Sequence, residues 1–222
     1  TNNRLHKIMT TPESFGKVKN ACSGIDIYNH FFLLMDECHQ LIKDVDYRTD
    51  IVLPMNDFFR FKSKALVSAT PIGFSDPRFK EFETVEVSAD YDYRQEIAVT
   101  HTYNIYKAIS EYLGNHTEET VCFFVNSVVM IYSIMKQFGI LEDSTVYCAP
   151  KSRLKLKNEY SFDNAYNDWN ADTMKKYNFF TGRFFTAFDL DLPYQPDLVM
   201  VTDPYNSEYT ILDIDTDCIQ IC

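Results

Sequence analysis

An α/β fold of parallel strands, divided into two domains, is what this sequence of 222 residues predicts, and three observations carry it. Short unbroken apolar runs recur: Phe31-Phe32-Leu33-Leu34-Met35, Ala65-Leu66-Val67, Val121-Cys122-Phe123-Phe124-Val125 and Leu198-Val199-Met200-Val201. Such runs suit strands buried on both faces, as in a parallel sheet with helices on each side. The third run leads directly into apolar residues at Val128, Ile131, Ile134, Met135 and Phe138, a helical spacing. Between the second and third runs, residues 83–100 are acidic and turn-rich, with Asp90-Tyr91-Asp92-Tyr93, and read as a crossing between domains. The expected division is therefore a first domain at 1–82, a linker at 83–100 and a second domain at 101–222.

In chain order, His6-Lys7-Ile8-Met9 reads as a short strand. Thr10-Thr11-Pro12-Glu13 reads as a helix start, with a threonine cap and proline in the first turn. A strand at 31–35 runs into Asp36-Glu37-Cys38-His39. Residues 40–64 read as loop and helix, with aromatics at Phe58, Phe59 and Phe61. A strand at 65–69 ends in Ser68-Ala69-Thr70 before Pro71, and Gly73 to Pro77 is a turn cluster. In the second domain the expectation is a helix near 103–113, a strand at 121–125, a helix near 128–138, and strands near 145–149 and 198–202. Trp169 is read as a core residue, with a base-stacking platform as the alternative.

Bulk properties narrow the function. The 45% apolar and 15% aromatic content is that of a globular chain. No apolar run reaches the length of a membrane span, and no secretory leader is visible. The six cysteines form no Cys-x-x-Cys pair, which fits free thiols in the cytoplasm or another reducing intracellular compartment. The net charge of −11 does not advertise nucleic-acid binding. It is uneven: residues 1–82 carry 11 Lys and Arg against 10 Asp and Glu, and residues 83–222 carry 10 against 22. Any grip on phosphates must come from local patches, of which Lys151-Ser152-Arg153-Leu154-Lys155-Leu156-Lys157 is the best. The plain alternative for that run is a solvated helix or loop face.

Chemistry concentrates at Asp36-Glu37. In open α/β sheets, ligands bind beyond the carboxyl ends of the strands. An Asp there can hold Mg²⁺ beside a nucleotide, and the adjacent Glu can orient or deprotonate an attacking water.

Asp36-Glu37-Cys38-His39 followed some thirty residues later by Ser68-Ala69-Thr70 resembles motifs II and III of the superfamily 2 helicases of DExH type. Thr11-Pro12-Glu13 is similar to motif Ib, and Asn126-Ser127 at the head of a helix is similar to motif IV. Thr181, Ala187 and Asp189 stand where motif V has Thr, Gly and Asp, with Ala187 departing from the glycine. The resemblance covers nearly the whole chain in the family's motif order, from motif Ib to the start of motif VI at Gln220. It implies two RecA-like domains of the P-loop NTPase type, the first incomplete at its N-terminus, and ATP with Mg²⁺ as cofactors.

By the same resemblance, Asp36 holds Mg²⁺ and Glu37 positions the water, while His39, Ser68 and Thr70 couple hydrolysis to domain movement. Asp189 faces the nucleotide or motif III. Thr11, Pro12, Glu13, Ser127 and Thr181 hold a nucleic-acid strand. DNA is expected in preference to RNA, a choice that the motifs themselves do not make. The phosphate-cradling Gly-x-x-x-x-Gly-Lys-[Ser/Thr] and the motif VI arginines do not occur in these 222 residues. The expectation is an internal piece of an ATP-dependent helicase or translocase that is inactive as an ATPase by itself. The competing expectation is a non-catalytic helicase-like module that binds nucleic acid or a partner protein.

Overall fold

A computed structural model describes residues 7–38, 52–70, 73, 76–88, 90, 96–116, 120–185 and 188–222, and it is an α/β structure with two all-parallel sheets. The chain divides into two compact units, Thr1–Val85 and Glu86–Cys222.

In the first unit, β1 (Phe32–Met35) pairs in parallel with β2 (Ser63–Leu66), Phe32 opposite Ser63 and Met35 opposite Leu66. Before β1 come a 3-10 turn (Pro12–Ser14), α1 (Phe15–Ala21) and α2 (Ile27–His30); α3 (Val52–Arg60) precedes β2. The fold of this unit is pinned at Asp57 on α3. Its carboxylate accepts from Lys19 Nζ at 2.7 Å, from the Tyr28 hydroxyl at 2.6 Å and from Arg60 at 3.3 Å, so residues of all three helices meet on one group. Phe58 is fully buried among Phe59, Phe79 and Phe82, and the Arg78 guanidinium lies 3.9 Å from the centroid of the Phe59 ring.

Three expectations need correction here. Lys7–Met9 forms no strand; Ile8 and Met9 are exposed and no neighbouring strand edge pairs with them among the described residues. A strand needs a partner ladder, which so short an apolar stretch cannot supply alone. The second strand lies at Ser63–Leu66 rather than 65–69: ladder bonds run on only to Val67, and the Ser68 hydroxyl then accepts from the Thr70 N–H and closes a local turn. Finally, β1 is not buried on both faces: Phe32 is 61% and Leu34 53% exposed, while the alternate residues are half-buried. Successive strand side chains point to opposite faces, and the face carrying Leu33 and Met35 is the more covered of the two.

The second unit holds β3 (Val121–Phe124), β4 (Ser144–Tyr147), β5 (Ala165–Tyr166), β6 (Tyr177–Phe180) and β7 (Asp197–Met200), in the order β5-β4-β6-β3-β7. Helices α4 (Ile105–Asn115), α5 (Val128–Gln137) and α6 (Pro150–Tyr160) accompany them. Here the apolar runs do become doubly buried strands. Every residue of β3 is buried. One face, with Val121, Phe123 and Phe179, packs on Ile131, Ile134 and Met135 of α5. The other carries the stacked rings of Tyr147, Phe180 and Phe124, with centroids 4.8 and 5.2 Å apart. The registers that put Phe180 opposite both Tyr147 and Phe124 produce that stack.

Trp169 packs against this second face, 5.8 Å from Phe188. The basic run 151–157 lies on α6, of which only Leu156 is buried. All six cysteines are free thiols. Among the described residues no helix is long and apolar enough to cross a membrane.

Candidate functional site

Asp36, Glu37, Ser68, Thr70, Ser127 and Thr181, singled out by the sequence, stand at the carboxyl ends of strands in the two units. In the first, the β1–β2 ladder continues past the strands: Val67 N–H donates to Met35 O at 2.9 Å and Cys38 N–H donates to Val67 O at 3.1 Å. Met35 and Cys38 thus both bond Val67, and Asp36-Glu37 are looped out between them. The loop is tight. Glu37 takes a left-handed backbone conformation (φ 50°), and its N–H donates to Asp36 Oδ1 at 3.0 Å. A non-glycine residue there carries strain of roughly 1–2 kcal/mol. Asp36 is exposed and Glu37 half-buried.

Beyond β2, Ser68 and Thr70 form their own hydroxyl-closed turn, and Thr70 is buried. Cys38 beneath the loop is buried; burial pushes its thiol upward, and the Glu37 and Asp36 charges push the same way against a backbone hydrogen bond that lowers it, an environment that disfavours the reactive thiolate. His39 lies outside the described residues. Thr11 occupies the cap position before Pro12–Ser14, but its side chain makes no capping bond; Thr11, Pro12 and Glu13 are exposed.

In the second unit the segments that follow β3, β4, β6 and β7 leave one sheet edge. Ser127 follows β3 and caps α5, its Oγ accepting from Met130 N–H at 3.3 Å. Thr181 ends β6 and is buried; its N–H and hydroxyl both donate to Tyr147 O, leaving the hydroxyl lone pairs as its remaining capacity. Between them Asn126 acts as a strut. Its Oδ1 accepts from Gly182 N–H at 3.1 Å and its Nδ2 donates to Tyr209 O at 2.9 Å. A Cβ on Gly182 would stand 2.8 Å from Asn126 Oδ1, so this close approach needs glycine. The Tyr209 hydroxyl shares a hydrogen bond with Ser127 Oγ at 3.3 Å. Bonds from Ser127 and Ser207, with the Lys155 charge nearby, hold the Tyr209 phenol below its usual value.

Asn126, Ser127, Lys151, Ser152, Lys155 and Tyr209 line a cavity of about 530 Å³, with Asn158 and Glu159 also in its wall. Lys155 lies 3.9 Å from Glu159, and Lys151 pairs with no carboxylate among the described residues. A second cavity of about 600 Å³ lies before β4, β5 and β6, at the opposite edge, with Glu142 and Asp163 in its wall. Two carboxylates against Lys175 make it a poorer seat for an anion than the first cavity, where two lysines stand against Glu159. Asp189 is exposed, outside regular structure, beyond the 3-10 turn Gly182–Phe184.

The sequence pointed to Ser127, Thr181 and the basic run. It did not single out Asn126 as a strut, or Gly182, or Tyr209. Asn126 and Gly182 lay inside the motif-like stretches with no role given. Tyr209 had no signal at all, because its loop has no periodic pattern.

Among the described residues no three His, Cys, Asp or Glu side chains group to hold a metal. Asp36 offers a single exposed carboxylate, which fits Mg²⁺: that ion keeps much of its water and takes one or two carboxylates together with substrate phosphates. No protein-family model, curated protein or solved structure matches this chain.

Proposed function

We propose that this chain is part of an ATP-dependent nucleic-acid helicase or translocase of DExH type, its two units being RecA-like halves of that engine. One observation carries the reading. Asp36-Glu37, Ser68–Thr70, Ser127 and Thr181 come from four separate stretches, and all stand at the carboxyl ends of parallel strands. That is the edge at which α/β sheets take nucleotides and phosphates.

Asp36 would hold Mg²⁺, and Glu37 orients the attacking water. Mg²⁺·ATP, when bound, supplies the scissile phosphate and neutralises its developing charge. Ser68, Thr70 and His39 transmit the nucleotide state, and Asp189 faces the nucleotide. Ser127 and Thr181, with Thr11, Pro12 and Glu13, hold the strand through hydroxyls and backbone N–H groups without reading bases. The strand is DNA in preference to RNA, and the free thiols suit a reducing compartment.

The test is fluorescence anisotropy with labelled DNA and RNA 12-mers. Two lysines at the cavity predict weak binding, with Kd on the order of 10⁻⁴ to 10⁻⁵ M and a shallow salt dependence, log K falling about 1.4 per decade of salt. Absence of binding at low salt, or a slope several times steeper, overturns the reading.

A non-catalytic module is favoured by one fact, that these 222 residues contain no Gly-x-x-x-x-Gly-Lys-[Ser/Thr]. The two readings separate in a protein that carries these residues together with such a loop. Nucleic-acid-stimulated turnover lost in Asp36→Ala identifies the engine; strand binding without turnover identifies the module.

A further inference from the structure

We propose that Tyr209 is a stacking platform for an unpaired nucleobase, and that Lys151 and Lys155 hold the phosphate beside it, in the cavity at the carboxyl edge of the second sheet. The inference rests on the strand-binding reading above and adds to it a contact to the base and a preference for single strands.

Tyr209 is a large aromatic ring left 62% exposed, yet it is held at both ends. Its hydroxyl is bonded to Ser127 Oγ and its carbonyl to Asn126 Nδ2. The next residue, Thr210, is completely buried, with its hydroxyl donating to Ser207 O and accepting from Asp203 N–H. A fixed, exposed ring costs little further entropy on binding, which is what a stacking surface requires. Beside it, Lys151 and Lys155 lie one helical turn apart on α6 and line the same cavity. They are cations in the acidic part of the chain, since residues 83–222 carry 10 Lys and Arg against 22 Asp and Glu.

An aromatic face next to cations matches the two chemical parts of a nucleotide, and a cavity of about 530 Å³ is of ligand size. Stacking is sequence-tolerant because every base has a π face, and it needs a base that is not already stacked within a duplex. The amide of Asn126, the side chain nearest the ring that could read a base edge, is already bonded to Gly182 and Tyr209.

The test uses the whole chain with a labelled oligo(dT) 12-mer, the same length of duplex, and free thymidine monophosphate as competitor. A 12-mer containing 2-aminopurine adds a stacking-sensitive emission signal. Wild type should bind the single strand more tightly than the duplex and quench 2-aminopurine. Tyr209→Ala should weaken single-strand binding about tenfold and abolish quenching. Tyr209→Phe keeps the ring and should keep both, which separates stacking from the hydroxyl bond to Ser127. Lys151→Ala with Lys155→Ala should weaken binding of both strand forms.

If the lysine variant weakens binding while Tyr209→Ala binds and quenches as wild type does, stacking is overturned and the strand-binding reading survives. Equal loss in Tyr209→Phe and Tyr209→Ala also overturns stacking. Competition by the mononucleotide at the affinity of the 12-mer reassigns the cavity to a free nucleotide. No binding of either strand form by wild type overturns both readings.

Discussion

Asp57 joins three helices of the first unit through one carboxylate. Burial pushes its carboxyl up, but the bonds from Lys19 and Tyr28 and the charges of Lys19 and Arg60 outweigh that and hold it below its ordinary value. A folded pKa below the unfolded one, about 3.9, means the stabilisation is complete above that value and is lost as pH falls through the folded one. Asp57→Ala should cost about 2 kcal/mol, since it leaves the Tyr28 hydroxyl and two cations without their common acceptor. Asp57→Asn should flatten the acid unfolding of this unit below about pH 4, followed by circular dichroism. An acid midpoint equal to wild type would show that Asp57 is not the pin. At Gly182, an added Cβ displaces Asn126 and breaks its two bonds. Gly182→Ala should therefore lower the stability of the second unit by roughly 1–2 kcal/mol, read as a drop in urea midpoint.

Helices α1 and α5 show how differently two elements of similar origin are held. α1 spans seven residues, with no side-chain cap and no buried residue. Isolated helices of that length are unstable, so it persists through Lys19 on Asp57 and the Phe15–Phe61 ring contact. α5 begins at a serine cap and buries Ile131, Ile134 and Met135 completely. Native-state hydrogen exchange should rank them accordingly, with amides of α5, β3 and β6 exchanging only by large-scale opening and those of α1 exchanging early. Slow exchange in α1 equal to that in α5 would contradict this. Ser127→Ala should cost about 1 kcal/mol through the lost cap, and Met135→Ala about 2–5 kcal/mol through the cavity it leaves.

At the scale of the whole molecule, the division at Val85 and Glu86 predicts a protease-sensitive junction. Val85, Val87, Val99 and Tyr103 are strongly exposed, in backbone without regular structure. Limited chymotrypsin digestion should cut first within 83–104 and leave a fragment of the second unit that retains its circular dichroism. First cuts inside α5 or the five-stranded sheet would argue against two separate units. The 222-residue chain is also expected to release no phosphate from ATP above background, because its sequence contains no Gly-x-x-x-x-Gly-Lys-[Ser/Thr] to hold a triphosphate. Turnover that vanishes in Asp36→Ala would refute that.

Much of this was legible in the residues. An apolar run that stops at Asp36 announces a strand with acids at its carboxyl end. The step from Val121–Val125 to the 3.6-residue spacing of α5 announces a strand–helix unit with Ser127 at the joint. These signals are local, carried by side chains a few positions apart, and local periodicity survives whatever the chain does elsewhere. Where a strand sits is not local. That β6 lies between β4 and β3, and β7 on the far side of β3, follows from which ladders pair. Those pairings bring Tyr209 to Ser127 across 82 residues. Nothing near Tyr209 in sequence records that neighbour, because the contact exists only once the sheet has assembled. The exposed faces of Phe32 and Leu34 teach the same point in reverse: an apolar run states that a strand can be buried, and only the packed structure decides on how many faces it is.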